Sequence, residues 1–410
     1  MNMKLVAVLL MLLDIAWNLF LEALDRRSLK NPLPESVKDV FDEAEYKKWR
    51  AYKAEGKRLT AVSSTVDIIV SLALIILDGY AAFARLFPQG WFPQLMSVVL
   101  LSTILSTVIG LPFSIYDTFV IEEKYGFNRT TKKTFVLDEI KGLILGLLLE
   151  GGLISLFAWL HLRAGSWFIP ALAGAFVALT LVLSLLSPAL TRIFNKFRPL
   201  EDGELKERLT GLLTGHGYRV RAVEVMDASR RSTRLNAYFT GLGPTKTIVL
   251  YDTLVEAMSE DQICAVFAHE MGHGIHHDII TTRIFSVINS LMIACIGALV
   301  LSNPAIYADF GFDGINYGMA FILLGLFLNI LSPLLDWISS QFSRRAEYRA
   351  DATAVEEGYG PDLISALKLL AKKNLSNLAP DPLLVKLTYS HPTLAQRIEA
   401  IEKKIGEQNG

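Results

Sequence analysis

The stretch SEDQICAVFAHEMGHGIHHD, residues 259–278, contains the pentapeptide HEMGH, and the rest of the chain is organised around it. Ser259, followed three residues later by Gln262, is a capping-box pattern that marks the start of a helix. The apolar residues that follow at helical spacing are Ile263, Val266, Phe267 and Met271. The stretch therefore predicts a helix that carries HEMGH in its second half.

The two histidines of HEMGH are suited to holding one metal ion. His269 and His273 are four residues apart, so on a helix they lie one above the other and both imidazoles can reach one ion. Glu270 lies beside the pair and could take a proton from a water molecule at the metal. Five residues alone also fit an exposed helix on which two histidines and a glutamate coincide. A catalytic zinc site needs a third protein ligand as well.

Composition places the chain in a membrane. Of its 410 residues, 52% are hydrophobic and only 20% charged, and the mean hydropathy is +0.37. A soluble globular protein of this length is normally less apolar. The net charge of −1 gives no argument for a nucleic-acid partner. The two cysteines, Cys264 and Cys295, exclude a disulfide framework and a cysteine-rich zinc site.

Seven segments are long and apolar enough to span a bilayer, which takes about 20 residues. They are Met3–Leu24, Thr60–Leu77, Phe92–Ile115, Gly142–Leu162, Trp167–Ile193, Phe285–Leu301 and Tyr317–Ser339. The first is followed by Asp25-Arg26-Arg27 and lacks a small-residue cleavage site, which favours a retained anchor over a signal peptide.

Basic residues predict the orientation of these spans. The connections after the first, third and fifth spans and the C-terminal tail are rich in Lys and Arg. The other connections carry Arg85, Arg163 and no basic residue, respectively. This alternation predicts an N-terminus outside the cell and a cytoplasmic C-terminus, so that the HEMGH helix faces the cytoplasm.

Seven ionisable residues lie within or at the ends of the spans: Asp14, Asp67, Asp78, Asp117, Glu150, His161 and Asp336. Such groups are costly in hydrocarbon and usually face a bundle interior or a wet cavity. One interpretation is that these residues line a water-filled chamber or a proton path. The other is that their side chains reach the membrane surface or pair between helices. The second interpretation is favoured for Asp14 and Asp117.

The main soluble block lies between Asn195 and Thr282. It is predicted to contain an amphipathic helix, two strands, a turn within GLGPTKT at residues 241–247, and the HEMGH helix. The helix is expected over Asp202–Leu213 and the strands over Ala222–Met226 and Thr247–Tyr251, with the segment Ala237–Thr240 between them. An edge strand beside the metal could hold an extended peptide by strand addition, or it could merely support the helix.

Candidates for the third metal ligand lie after HEMGH. His276 and His277 are one turn further along, at or beyond the helix end, and cannot easily close on the same ion. Glu347 and Asp351 are four apart on a later helix, which suits a ligand and an acceptor that orients an imidazole. On spacing alone an exposed, charged helix face is favoured, because acidic and basic residues alternate there.

Three blocks, HEMGH, SRRAEYRAD at residues 343–351 and SHPTLAQRI at 390–398, resemble the type I CAAX prenyl endopeptidases, which are integral-membrane zinc metalloproteases. The blocks LPFSIYDTFVIEEKYGFNR, IFNKFRPLED and NAYFTGLGPTKTIVLYDTL are similar to that family too, so the resemblance covers most of the chain. It implies a predominantly α-helical polytopic membrane protein. Seven transmembrane helices would surround an internal chamber, and a cytoplasmic zinc-metalloprotease domain would carry a small β-sheet.

The resemblance also assigns roles to particular residues. His269, His273 and Glu347 are implied to bind one Zn²⁺ ion, with Glu270 as the general base. The further roles that it implies are orientation of a ligand by Asp351 and Arg397, hydrogen bonding to the developing oxyanion by His391, and substrate binding by Asn236. The chain is expected to divide into residues 1–196 with five transmembrane helices, 197–284 with the catalytic block, 285–340 with helices six and seven, and 341–410 with the remainder of the catalytic domain.

The function expected is that of a membrane zinc metalloendopeptidase. It would hydrolyse peptide bonds near the C-terminus of prenylated (CAAX-type) or other membrane-associated polypeptides, with the lipid bilayer as its setting. The alternatives are a quality-control protease of the same family and a transporter or channel with a structural zinc, which would not need Glu270. The compact, short-tailed chain favours a bacterial inner membrane over the endoplasmic reticulum.

Overall fold

The first half of the chain consists of long apolar helices. The structure is a computed structural model that describes residues 2–240 and 245–410. The helices of this half are α1 (Met3–Ser28), α2 (Glu43–Ile76), α3 (Gly79–Ala84), α4 (Trp91–Tyr116), α5 (Glu123–Tyr125), α6 (Lys132–Ala164) and α7 (Phe168–Phe194). A π-helical turn at Asp117–Glu122 joins α4 to α5.

Six helical segments among the described residues are long and apolar enough to cross a membrane. One of them, residues 132–183, contains both α6 and most of α7. These two helices meet at a 3₁₀ turn, where Gly165 has φ of +52°. The segments are compatible with seven spans, whose number and orientation stay predictions.

Apolar side chains divide between the outside and the inside of this helical part. Leu5, Leu13, Val108 and Leu148 are among the large hydrophobic residues that are exposed, as expected of helices that face lipid. The interior is packed by buried residues from eight helices and the connection between the last two of them, among them Leu95, Ile154, Leu172, Tyr307 and Leu323.

The middle of the chain forms a small mixed sheet followed by the HEMGH helix. Its elements are β1 (Phe197–Pro199), α8 (Glu204–Gly215), β2 (Arg219–Met226), β3 (Ala237–Thr240), β4 (Thr245–Tyr251), α9 (Asp252–Ala257) and α10 (Glu260–Ile275). The strand order is β1-β2-β4-β3, with β2 parallel to β4 and the other pairs antiparallel. The two expected strands, β2 and β4, and both helices are present. The segment Ala237–Thr240 forms the strand β3, β1 is additional, and residues 241–244 of the expected turn lie outside the described residues.

A hydrophobic core fixes α10 to this sheet. Ile248 and Leu250 of β4 pack with Phe267 and Met271 of α10, and Leu209 of α8 joins them. All five are almost completely buried. Because the core holds one face of α10, the helix presents a fixed opposite face to the elements that follow.

The last third of the chain completes the fold with five helices: α11 (Asp278–Leu301), α12 (Tyr317–Glu356), α13 (Gly360–Lys373), α14 (Pro382–Thr388) and α15 (Leu394–Asn409). The helix α12 is unbroken over 40 residues although it contains Pro333. It therefore carries the chain from an apolar segment directly to Glu347 beside α10.

Arg231 joins the sheet to the membrane helices. Its guanidinium donates two hydrogen bonds to the Asp138 carboxylate of α6, at 2.8 and 3.1 Å. It also donates to the Phe194 carbonyl at 2.6 Å and to the Asn195 side chain at 3.1 Å, both at the end of α7. One side chain thus holds the start of α6 and the end of α7 against the catalytic block.

Candidate metal centre

The helix that carries HEMGH begins and packs as its sequence requires. The Ser259 hydroxyl accepts from the Gln262 N–H and the Gln262 side chain accepts from the Ser259 N–H, which completes the predicted capping box. Further along, Gly272 lies against α12, where an added Cβ would be 2.8 Å from the Ala350 Cα atom. The glycine therefore allows α10 and α12 to approach closely enough to share one site.

His269, His273 and Glu347 form the group that could hold a metal ion among the described residues. One donor atom from each lies within 4.8 Å of the others. The His273 Nε2 atom is 3.3 Å from Glu347 Oε1, and His269 Nε2 is 3.6 Å from Glu347 Oε2. Both rings thus turn the same nitrogen toward one carboxylate, which is the arrangement of three ligands around one cation.

The environment of Glu347 supports this interpretation. Its side chain is almost completely buried, and its Oε2 atom has no hydrogen-bond partner among the described residues. Arg397 Nη1 lies 3.4 Å from this oxygen as an ion pair without hydrogen-bond geometry, so the buried oxygen still lacks a donor, a deficit that a bound cation would remove. The donor set of two imidazoles and one carboxylate is one that zinc accepts. The residues present therefore fit a metal ion.

A carboxylate and an arginine fix the ring of His269. Its Nδ1 atom is 2.8 Å from Asp351 Oδ1. Arg397 donates to both oxygens of Asp351, at 2.9 and 2.6 Å. Because Asp351 can only accept when ionised, His269 carries its proton on Nδ1 and leaves Nε2 free for a metal. The Arg397 side chain is only 11% exposed. This burial lowers the pKa of its guanidinium, but the charge of Asp351 and the hydrogen bonds to it outweigh that effect, so the pKa is raised.

The second ligand has a matching arrangement that the sequence did not reveal. The His273 Nδ1 atom is 3.0 Å from Asp278 Oδ2, and Arg349 donates to the other oxygen of Asp278. Asp278 reaches back because His277 has φ of +54°, a left-handed conformation that ends α10 and starts α11 in a new direction. The spacing of five residues between His273 and Asp278 gives no helical signal for this contact, so only the turn could have indicated it.

His273 is strongly influenced by the acidic groups around it. Burial alone would lower its pKa, but hydrogen bonds with Glu347 and Asp278 and the charges of Glu347 and Glu270 raise the pKa to about 9. Without a metal the ring therefore holds a proton at neutral pH. A metal ligand must be neutral, so metal binding is expected to weaken as the pH falls.

The resemblance also assigns roles to Glu270, His391 and Asn236, which lie in three different parts of the chain. Glu270 is half-buried next to His269 on α10. His391, on the exposed loop before α15, places Nε2 3.2 Å from Glu347 Oε1. Asn236 precedes the edge strand β3, which packs against α10, and its side-chain oxygen accepts from the Ala237 N–H at 2.9 Å. The described contacts do not connect Asn236 with the three ligand side chains.

His276 and His277 stay out of the metal group, as the spacing predicts. The His276 Nε2 atom is 3.0 Å from the Thr353 hydroxyl on α12. His277 occupies the left-handed position between two helices. Neither is among the side chains grouped with His269.

Several of the ionisable residues in the apolar helices line cavities. Asp14, Asp67 and Asp117 line a cavity of about 950 Å³, and Asp336 lines another of about 850 Å³ that includes His273. Asp78 pairs with Lys4 at 2.8 Å, and His161 Nδ1 is 2.9 Å from the Tyr317 hydroxyl. Asp14 and Asp117 thus line a cavity. From the sequence, pairing between helices or a position at the membrane surface was favoured for these two residues.

Comparisons with known proteins agree with this site. Residues 199–405 match peptidase family M48, and residues 25–196 match a family described as CAAX prenyl protease N-terminal, five membrane helices. The chain belongs to peptidase family M48. The resemblance drawn from HEMGH and its flanking blocks is confirmed, and so are the helical membrane fold and the metalloprotease class. The family and the side-chain group together indicate a metal ion in this M48 peptidase.

Relatives match this M48 peptidase along nearly its whole length. Probable CAAX prenyl protease 1 of Schizosaccharomyces pombe is 35% identical, covering 94% of this chain and 86% of the relative. CAAX prenyl protease 1 of Saccharomyces cerevisiae is 35% identical, covering 90% and 88%. The crystal structure of S. mikatae Ste24p has a TM-score of 0.90 and 32% identity, covering 98% of this chain and 99% of that one.

The expected bacterial inner membrane is wrong. The two relatives named above come from yeasts, and further relatives come from rice and human, so all of these are eukaryotic proteins. The expectation rested on a compact chain with a short tail, and chain length carries no physical information about the membrane in which a helical bundle resides.

Proposed function

We propose that this M48 peptidase is a zinc endopeptidase that cuts membrane-associated polypeptides of the CAAX prenylated type near their C-terminus. The single observation that carries the proposal is the group of His269, His273 and Glu347, in which both histidines turn Nε2 toward one buried carboxylate. The substrate class comes from the relatives, which are named CAAX prenyl proteases.

His269, His273 and Glu347 would hold one zinc ion. When bound there, zinc supplies Lewis-acid activation of a water molecule and of the peptide carbonyl. Glu270 adjoins these ligands and can accept the proton of the attacking water. It can then deliver that proton to the leaving amine, as a general base followed by a general acid.

His391 is suited to stabilise the oxyanion. The Ser390 hydroxyl lies 2.8 Å from His391 Nδ1 and can donate to it. The neutral ring then carries its proton on Nε2, the atom that lies 3.2 Å from Glu347 Oε1. A donor so close to the ligand group can bind the oxygen of the cleaved carbonyl as negative charge develops there.

The position of the site suits a substrate that is tethered to a membrane. Glu347 lies on the same helix as the apolar segment of α12, and His273 lies five residues before Asp278, where α11 begins. At about 1.5 Å per helical residue, both ligands are roughly 10–20 Å from the apolar segments. A cysteine carrying a prenyl group could then remain in the bilayer while the adjacent peptide bond reaches the metal.

Cleavage of a farnesylated C-a-a-X peptide by the purified protein tests this function. We expect cleavage that a chelator abolishes and that added zinc restores. Equal cleavage of the same peptide without its farnesyl group would instead favour a protease that acts on damaged membrane proteins. Absence of cleavage in the zinc-loaded protein would contradict the peptidase function and leave a structural metal in a transporter or channel.

A further inference from the structure

A cleft between α11 and α12 opens directly beside the metal group. It has a volume of about 850 Å³, and its wall includes His273 and Asp278. Ser390, which precedes His391, borders the same space. The α11–α12 cleft therefore begins where the cut peptide bond would lie. A part of the substrate that extends from the metal group in this direction would enter the cleft.

Two arginines of α12 line the α11–α12 cleft. Arg345 and Arg349 are four residues apart and so lie on the same face of the helix. Arg349 donates to Asp278 and is thereby engaged. Arg345 is exposed and has no ion pair or hydrogen bond among the described residues. A guanidinium that is not engaged by the protein is well suited to bind a carboxylate through two parallel hydrogen bonds.

The cavity on the other side of the His391 loop is predominantly acidic. It measures about 950 Å³ and is lined by Tyr389, the neighbour of Ser390. Its acidic lining residues are Asp14, Glu22, Asp25, Asp67 and Asp117, and its basic ones are Lys53 and Lys57. Lys57 pairs with Asp25 at 2.6 Å. The α11–α12 cleft contains two aspartates as well, but Asp278 is engaged by Arg349, which leaves Asp336 and Arg345. An anionic group is thus repelled by the acidic cavity, whereas the unengaged guanidinium of Arg345 offers it a favourable contact in the α11–α12 cleft.

We propose that the α11–α12 cleft binds the C-terminal carboxylate of the substrate, with Arg345 as its main contact. This inference rests on the proposed function, because it requires a peptide that is cut near its end. A bond beside the cysteine of a C-a-a-X terminus lies at most three residues, or about 10 Å, from the terminal carboxylate. Arg345 is two residues before Glu347, which is about 3 Å along the axis of α12 but about 200° around it. Its guanidinium therefore faces the cleft that His273 also lines, and not the face of α12 that carries Glu347.

The matched pair of substrates for the test is one prenylated peptide made as a free acid and as a C-terminal carboxamide. Wild-type protein should cleave the acid with a KM about five- to tenfold lower than that of the amide. In Arg345→Gln the KM for the acid should rise until the two peptides differ by less than about twofold, with little change in kcat. Arg345→Lys keeps the positive charge but cannot form two parallel hydrogen bonds with a carboxylate. The ratio of its two KM values should therefore lie between those of wild type and Arg345→Gln.

Arg198→Gln serves as the control. Arg198 is an exposed arginine of β1 that lies 3.9 Å from Glu201, outside the cleft. Its replacement should leave the ratio of the two KM values unchanged. Equal zinc content in all variants would show that Arg345→Gln has not disturbed the metal group.

A binding measurement separates this inference from the proposed function. The zinc-loaded Glu270→Ala protein should bind the acid more tightly than the amide, and adding Arg345→Gln should remove that preference. The inference is overturned if wild type treats both peptides alike, or if Arg345→Gln keeps the wild-type preference. Failure of cleavage together with a retained, Arg345-dependent preference in binding would contradict only the peptidase function.

Discussion

Asp278 holds the ring of His273 through Nδ1, so its replacement should weaken metal binding without removing a ligand. We expect Asp278→Asn to lower zinc affinity about 10- to 100-fold, because an amide holds the imidazole less firmly and makes it less basic. Competition with a chelator that reports free zinc would measure this change. Asp202→Asn is the control, since Asp202 is exposed and pairs only with Lys206 on the surface. Unchanged affinity in Asp278→Asn would contradict the assigned role.

Gly272 gives a prediction about the contact between α10 and α12. In Gly272→Ala the new methyl group would meet the Ala350 backbone, and we expect a loss of about 1–3 kcal/mol in the free energy of unfolding. Gly211→Ala provides a contrast of opposite sign, because Gly211 has open space around it in α8 and alanine favours helix by about 1 kcal/mol. Thermal unfolding of both variants in the same detergent would compare them. Equal stability of Gly272→Ala and wild type would show that the helices can separate freely.

The proposed ligand residues could be predicted from the sequence to different extents. His269 and His273 followed from helical spacing, since four residues bring two side chains to one face. Glu347 did not, because spacing alone favoured an exposed face, and only the family resemblance selected it. Asp278 was missed because its contact depends on the left-handed His277 and on the direction of a new helix. Contacts made by turns between elements leave no periodic signal in a sequence.

The junction between the sheet and the membrane helices depends on Arg231. We expect Arg231→Gln to lower the free energy of unfolding by about 1–3 kcal/mol, since the fork to Asp138 and the bonds to the end of α7 are lost together. Thermal unfolding would measure the effect, and Arg198→Gln again serves as the surface control. Equal melting temperatures for the two variants would contradict the proposal that Arg231 holds α6 and α7 against the sheet.

Helices and strands were predicted well where they are long and periodic. The capping box at Ser259 placed the start of α10, and apolar runs placed the long helices. The strand β1 was missed because it has only three residues and ends in Pro199, and α14 was missed because seven residues hold too few turns for a period. The parallel pairing of β2 with β4 could not be foreseen, since strand neighbours are decided by tertiary packing.

The arrangement of the chain across the membrane can be tested with two single cysteines. Basic residues alternate between connections, so Asn303 and the C-terminal Gly410 are expected on opposite sides of the bilayer. In a variant with Cys264 and Cys295 replaced by alanine, Asn303→Cys and Gly410→Cys should react with a membrane-impermeant maleimide from opposite faces of sealed vesicles. Reaction of both from one face would contradict the alternation of seven spans.

Composition and the long apolar segments together placed the protein in a membrane, because 52% hydrophobic and only 20% charged residues are more apolar than is usual for a soluble fold. The cavities were not foreseeable in shape or position. They lie between apolar helices that carry Asp14, Asp67 or Asp336. Their size depends on the angles between these helices, which no local sequence pattern specifies.

Metal content and peptidase rate, measured together on purified Glu270→Ala and wild-type protein, test the assignment most directly. Glu270 is assigned to proton transfer and not to metal binding, so the variant should retain about one zinc ion per chain. Its cleavage of a farnesylated C-a-a-X peptide should fall by about 10²- to 10⁴-fold, the range for loss of a general base. Cleavage at the wild-type rate, or loss of zinc from the variant, would contradict the account.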